Sequence, residues 1–131
     1  MSQTKQKIPI KILLVEDDEL TIKTLKFVLE RERYEVSIAR DGKEAVKMLD
    51  SPADLILLDL VIPQKSGFDV LEIIRQEKHI QTPVIIISNL GKSEDIERAL
   101  KLGANGYIVK NEFPVEAILR KVKAALTSSP E

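Results

Sequence analysis

Strand-like apolar runs and stretches of helical period alternate five times along this chain, and a polar residue closes four of the runs. Glu16-Asp17-Asp18 follows Ile12-Leu13-Leu14-Val15, Asp59 follows Leu55-Ile56-Leu57-Leu58, Ser88 follows Val84-Ile85-Ile86-Ile87, and Lys110 follows Tyr107-Ile108-Val109. Runs this short and this continuously apolar read as strands buried on both faces, and the helices between them impose parallel pairing through right-handed crossovers. Ligands of such open sheets lie beyond the carboxyl ends of the strands. Carboxylates, a hydroxyl and an amine therefore converge on one edge, the inventory for handling a phosphoryl group with a divalent cation.

The spacing predicts strands over 11–15, 35–39, 55–58, 84–88 and 107–109, and helices over 19–32, 42–49, 68–76, 93–102 and 114–126. Leu25, Val28 and Leu29 make one helical stripe, Ile96, Ala99 and Leu100 a second, and Val115, Ile118, Leu119 and Val122 a third. Asp41 and Ser66 are placed to cap the second and third helices, Gly103 to take the left-handed position after the fourth, and Pro114 to occupy the first turn of the fifth. In the second strand Glu35 and Ser37 alternate with Val36 and Ile38, which suits a sheet edge. An edge there favours the flavodoxin-like, doubly wound order 2-1-3-4-5, with helices on both faces and the crevice between strands one and three. One domain is expected over residues 8–126, with polar tails at 1–7 and 127–131.

Charge is nearly balanced, 20 basic residues against 21 acidic, so neither nucleic acid nor anionic lipid is expected as a partner. The apolar runs fall far short of a membrane span and no signal peptide is legible, so a cytoplasmic protein is expected. The chain has no cysteine, which removes disulfides, thiolate metal sites and thiol catalysis together.

Carboxylates crowded into one crevice repel one another unless some are protonated or a cation neutralises them. An open, oxygen-only site suits Mg²⁺, which also brings in phosphate oxygens. Asp59, ending the central strand, can act as a nucleophile and carry the phosphoryl group as an acyl phosphate. The charge of that group is then held by Mg²⁺, the Lys110 ammonium and the Ser88 hydroxyl.

At these residues the chain resembles the response-regulator receiver domains, in the stand-alone form of chemotaxis regulators, over roughly residues 11–126. The family's acidic pair is matched by Glu16-Asp17, its phospho-acceptor by Asp59, the following loop by Asp59-Leu60-Val61-Ile62-Pro63 with Gly67, its hydroxyl residue by Ser88, its switch aromatic by Tyr107 and its lysine by Lys110. The resemblance implies a phospho-accepting signalling protein rather than an enzyme with a separate substrate. Asp17, Asp59 and the Val61 carbonyl would bind Mg²⁺ directly, and Glu16 would act through water. It also implies a histidine kinase or histidine phosphotransfer protein as donor. A downstream protein would read the face of the fourth helix, fifth strand and fifth helix, after Ser88 moves to the phosphoryl group and Tyr107 turns inward.

Several positions depart from the family pattern. Asn111 stands where a cis proline is usual, and a non-proline cis bond costs about 3 kcal/mol, which weighs against one here. Asn89 replaces the usual Ala or Gly, where it would narrow access to Asp59 or donate to the phosphoryl group. Val61 and Leu90 are aliphatic where polar residues help to orient an attacking water, so a long-lived phosphorylated form is expected. The segment Ala104-Asn105-Gly106 lacks the paired acids of the transcription-factor subfamily.

Two other readings compete. Asp17-Asp18-Glu19-Leu20-Thr21 distantly resembles the D-x-D-x-T opening of haloacid dehalogenase-like enzymes, which would make the chain an aspartate-nucleophile phosphohydrolase. A degenerate receiver serving as a scaffold would have lost an acid or the lysine, and none is lost. Asp18 and Glu19 read as first-turn helix acids, Asp50 and Asp54 as solvated loop acids, and His79 as a surface residue.

Overall fold

The computed structural model describes residues 9–127, so the expected tails lie outside the described residues except for Thr127, which closes the last helix. Five parallel strands, β1 (Lys11–Val15), β2 (Glu35–Ala39), β3 (Leu55–Leu58), β4 (Val84–Ser88) and β5 (Gly106–Val109), form one sheet in the order β2-β1-β3-β4-β5. Between and after them run α1 (Glu19–Arg31), α2 (Gly42–Met48), α3 (Gly67–Glu72), α4 (Ser93–Lys101) and α5 (Val115–Thr127). This is the flavodoxin-like doubly wound fold, with the polar second strand at an edge as its alternation requires.

Because successive strand residues face opposite ways, each central strand feeds two cores. Leu13, Val15, Ile56, Leu58, Val84 and Ile86 pack toward α2, α3 and α4, joined by Phe68, Leu71 and Ile74. Ile12, Leu14, Leu55, Leu57, Ile85 and Ile87 pack toward α1 and α5, joined by Leu25, Leu29, Ile118 and Val122. Each such side chain fully withdrawn from water contributes about 1.5–3 kcal/mol, enough to fix the register of the sheet.

Local chemistry sets the helix starts. Asp18 is the N-cap of α1, its carboxylate accepting from the Thr21 N–H and hydroxyl, rather than a first-turn acid. Asp41 caps α2, and Ser66 with Asp69 forms a capping box on α3. Pro114 lies just before α5, its carbonyl accepting from the Ala117 and Ile118 N–H groups.

Three further expectations need correction. The third helix widens into a π-helical turn over Ile73–Glu77, and Arg75 on that turn donates to the carbonyls of Gly103 and Ile80 and to the Asn105 side chain. Leu100 is 48% exposed and only Ala99 of α4 is fully buried, because this helix covers an edge strand and has little sheet to pack on. Asp54 is no bare loop acid, since it accepts from the Lys11 N–H at 2.8 Å. Among the described residues no helix is long and apolar enough to cross a membrane.

Candidate functional site

Register brings the site together. Val15 pairs with both Ala39 and Leu58, so Glu16 and Asp59 come off adjacent strands at the carboxyl edge. Backbone bonds continue past the strand ends, Glu16 N–H to the Ala39 carbonyl and Asp59 N–H to the Val15 carbonyl. Gly67 lets the chain after β3 fold back against this point, its N–H donating to the Leu60 carbonyl. A Cβ at Gly67 would lie 2.3 Å from the Asp59 carbonyl oxygen, so only glycine fits there.

Side-chain parity then sorts the polar groups. Glu16, Asp59 and Lys110 fall on the α1/α5 side of their strands, whereas Ser88 and Tyr107 fall on the α2–α4 side. Lys110 Nζ accordingly bridges Glu16 Oε1 at 2.8 Å and Asp59 Oδ2 at 3.2 Å. The second oxygen of each acid is held by backbone: Asp18 N–H donates to Glu16 Oε2, and Val61 N–H to Asp59 Oδ1. Glu16 and Asp59 are buried, with 0% and 4% exposure, while Asp17 is exposed.

Burial pushes the Glu16 carboxyl above the ordinary carboxylate range, although its bonds to Lys110 and to the Asp18 N–H oppose the rise. At Lys110, burial works to lower the ammonium pKa, but the hydrogen bond to Glu16 and the charges of Asp59 and Glu16 outweigh it and the net shift is upward. The carboxylate oxygens of Glu16, Asp17 and Asp59 can all lie within 4.8 Å of one another. That all-oxygen donor set fits a hard divalent cation such as Mg²⁺.

These groups, with Val61, Asn89, Leu90 and Asn111, line an open cavity of about 610 Å³. Ser88 and Tyr107 do not line it. Ser88 is fully buried with its Oγ accepting the Leu90 N–H at 3.3 Å, and the half-buried Tyr107 donates its hydroxyl proton to the Leu90 carbonyl while packing on the core. The inward placement of Tyr107 that the resemblance attaches to the phosphorylated form is thus already present here. Glu19 and Arg40 pair at 2.7 Å on the surface, which draws the second acid of the D-x-D-x-T-like stretch away from the cavity.

Thr21, named from the sequence only within the D-x-D-x-T-like stretch, lines the cavity and donates both its N–H and its hydroxyl to the Asp18 carboxylate, a role that only the Asp18 N-cap would have signalled. Sequence reasoning missed the Asn111 N–H, which donates to Asn89 Oδ1 at 3.0 Å.

A doubly wound sheet with buried acids and a lysine at its switch point defines a class of α/β proteins whose ligands bind at the carboxyl ends of the strands. Within that class the match is specific: residues 12–123 fit the response regulator receiver domain, and the chain belongs to that family. It is 40% identical over 119 residues to the transcriptional regulatory protein CpxR of Escherichia coli, covering 91% of this chain and 50% of CpxR. The chain therefore spans about half the length of the curated relatives it matches. Among solved structures, the non-phosphorylated HemR receiver domain of Leptospira biflexa superposes with a TM-score of 0.85 at 31% identity, covering 93% of this chain and 98% of that one. The phosphorylated cyanobacterial phytochrome response regulator RcpA gives 0.80 at 31% identity, covering 93% and 97%.

Proposed function

We propose that this chain is a phospho-acceptor switch. Asp59 takes one phosphoryl group from a phosphohistidine of a histidine kinase or histidine phosphotransfer protein, and the altered surface is read by a second protein. The observation that carries this is the setting of Asp59, a buried carboxylate at the end of the central strand, held between the Lys110 ammonium and the Val61 N–H on an open cavity.

In the transfer, the donor's P–N bond breaks as a bond forms between phosphorus and an Asp59 carboxylate oxygen, and the imidazole leaves to take a proton from solvent. Lys110 moves with the negative charge, from Asp59 Oδ2 to an oxygen of the incoming group. Mg²⁺, when bound, would supply positive charge against the crowded acids and the incoming phosphoryl group. Asp17, Asp59 and the Val61 carbonyl would hold it, with Glu16 one water away. Ser88 then gives up the Leu90 N–H it accepts and turns to donate its hydroxyl proton to a phosphoryl oxygen, freeing the β4–α4 loop. With Tyr107 this biases the face of α4, β5 and α5 toward a second state, a population shift driven by contacts that exist only with phosphate present. Val61 and Leu90 offer no hydrogen bond to an attacking water, which favours a long-lived adduct. The description of RcpA as phosphorylated supports this chemistry by likeness. A cytoplasmic setting and uptake of one group, without turnover of phosphate esters, are parts of the same proposal.

Intact-mass measurement after incubation with acetyl phosphate tests it, with and without Mg²⁺. The expected result is a single Mg²⁺-dependent phosphoryl group on the wild type and none on Asp59→Asn. An adduct that survives Asp59→Asn would remove Asp59 from the account.

A further inference from the structure

Asn89 follows Ser88 on the loop between β4 and α4, and its Oδ1 accepts the Asn111 N–H at 3.0 Å. The bond joins two departures from the family pattern. Proline, usual where Asn111 stands, has no N–H to donate, and the usual Ala or Gly in place of Asn89 has no side-chain acceptor. Here each departure completes the other. The bond also bridges two strands at the cavity wall, because Asn111 directly follows Lys110 in the short 3-10 turn Lys110–Glu112. A second tie joins the same pieces one residue along, from the Tyr107 hydroxyl to the Leu90 carbonyl.

We propose that Asn89 is a positioning residue for phosphoryl transfer: by accepting the Asn111 N–H it fixes the turn that begins at Lys110, so the ammonium stays within reach of Asp59 and follows any movement of the Ser88 loop. A lysine side chain is long and entropically mobile, so the precision with which its ammonium meets a developing charge depends on how firmly its backbone is held. The strand anchors Lys110 on its N-terminal side, and Asn89 anchors it on the other. The proposal rests on Asp59 being the acceptor.

Two measurements test it together. Amide exchange followed by NMR reads the tie itself: Asn89→Ala should speed exchange at Asn111 about fivefold, the value of one modest hydrogen bond. Asn89→Asp keeps the accepting oxygen and should leave that exchange near wild type; its added charge slows transfer independently, so only its exchange is read. Single-turnover labelling by acetyl phosphate with Mg²⁺ reads the consequence. Asn89→Ala should lower the maximal rate about fivefold while the half-saturating concentration stays put, the pattern of lost transition-state placement rather than lost binding. Wild-type kinetics in Asn89→Ala, or Asn111 exchange indifferent to the substitution, overturns the proposal. A wild type that takes up no phosphoryl group overturns the acceptor reading and this inference with it, and intact mass detects that case separately from the exchange result.

Discussion

On the β1–β3 side of the crevice Glu16 and Asp59 are buried and the backbone fixes them. Glu16 and Asp59 each have one oxygen on a main-chain N–H, their own N–H groups extend the sheet, and Gly67 presses directly on the Asp59 carbonyl. On the β4–β5 side the walls are Asn89, Leu90 and Asn111, held by side-chain bonds of Asn89, Ser88 and Tyr107, beside a helix that fully buries only Ala99. A site that must both place a nucleophile and change shape divides those tasks. Precision needs over-determined backbone, whereas a change of state needs an element held by few contacts.

The contrast can be broken at several points, beginning with the largest effect. Lys110→Met removes the side-chain cation that bridges the two buried acids and is expected to slow labelling by acetyl phosphate about 100-fold, measured by single-turnover mass spectrometry. A loss of only a few-fold would shift the burden of charge stabilisation to the cation and backbone.

Glycines probe the two sides directly. Gly67→Ala should cost about 1–3 kcal/mol in urea denaturation because main chain must shift. A Cβ at Gly91 would meet Val109 side-chain atoms at an ordinary 3.6 Å, so Gly91→Ala should stay within about 0.5 kcal/mol. Equal losses at both positions would erase the distinction between a rigid and a yielding side.

Polar groups at the aliphatic positions should shorten the life of the adduct. Combining Val61→Asn with Leu90→Gln is expected to speed decay of the phosphorylated form about tenfold by orienting a water, followed as loss of the added mass after donor removal. Unchanged decay would locate the water's approach elsewhere.

The smallest effect is a pH dependence. Burial holds the Glu16 pKa above its ordinary 4.5, so the folded value exceeds the unfolded one. The contribution of Glu16 to stability is then present below 4.5 and is lost as pH rises through the raised value. With a chelator keeping cations off the acids, Glu16→Gln should compare more favourably with wild type near pH 7 than near pH 4. The reverse trend in urea midpoints would mean that the pairing with Lys110 outweighs burial.

Most of the acid side was legible in the sequence. Continuous apolar runs such as Leu55–Leu58 are buried wherever they sit, so the strands, their order and the acids at their ends follow from local pattern and the rules of parallel crossovers. Caps at Asp41 and Ser66 are equally local, since the bonds that define them span three residues. Tertiary structure alone decided the rest. The Lys110–Glu16 bond spans 94 positions and the Asn111–Asn89 bond 22, and no periodicity encodes either. The exposure of Leu100 depends on how much sheet lies beneath α4, and the turning of Ser88 toward the Leu90 N–H depends on the loop that follows it. Hydrophobic period records which face of an element is buried. Which polar group meets which across the crevice is settled only when the strands bring distant residues together.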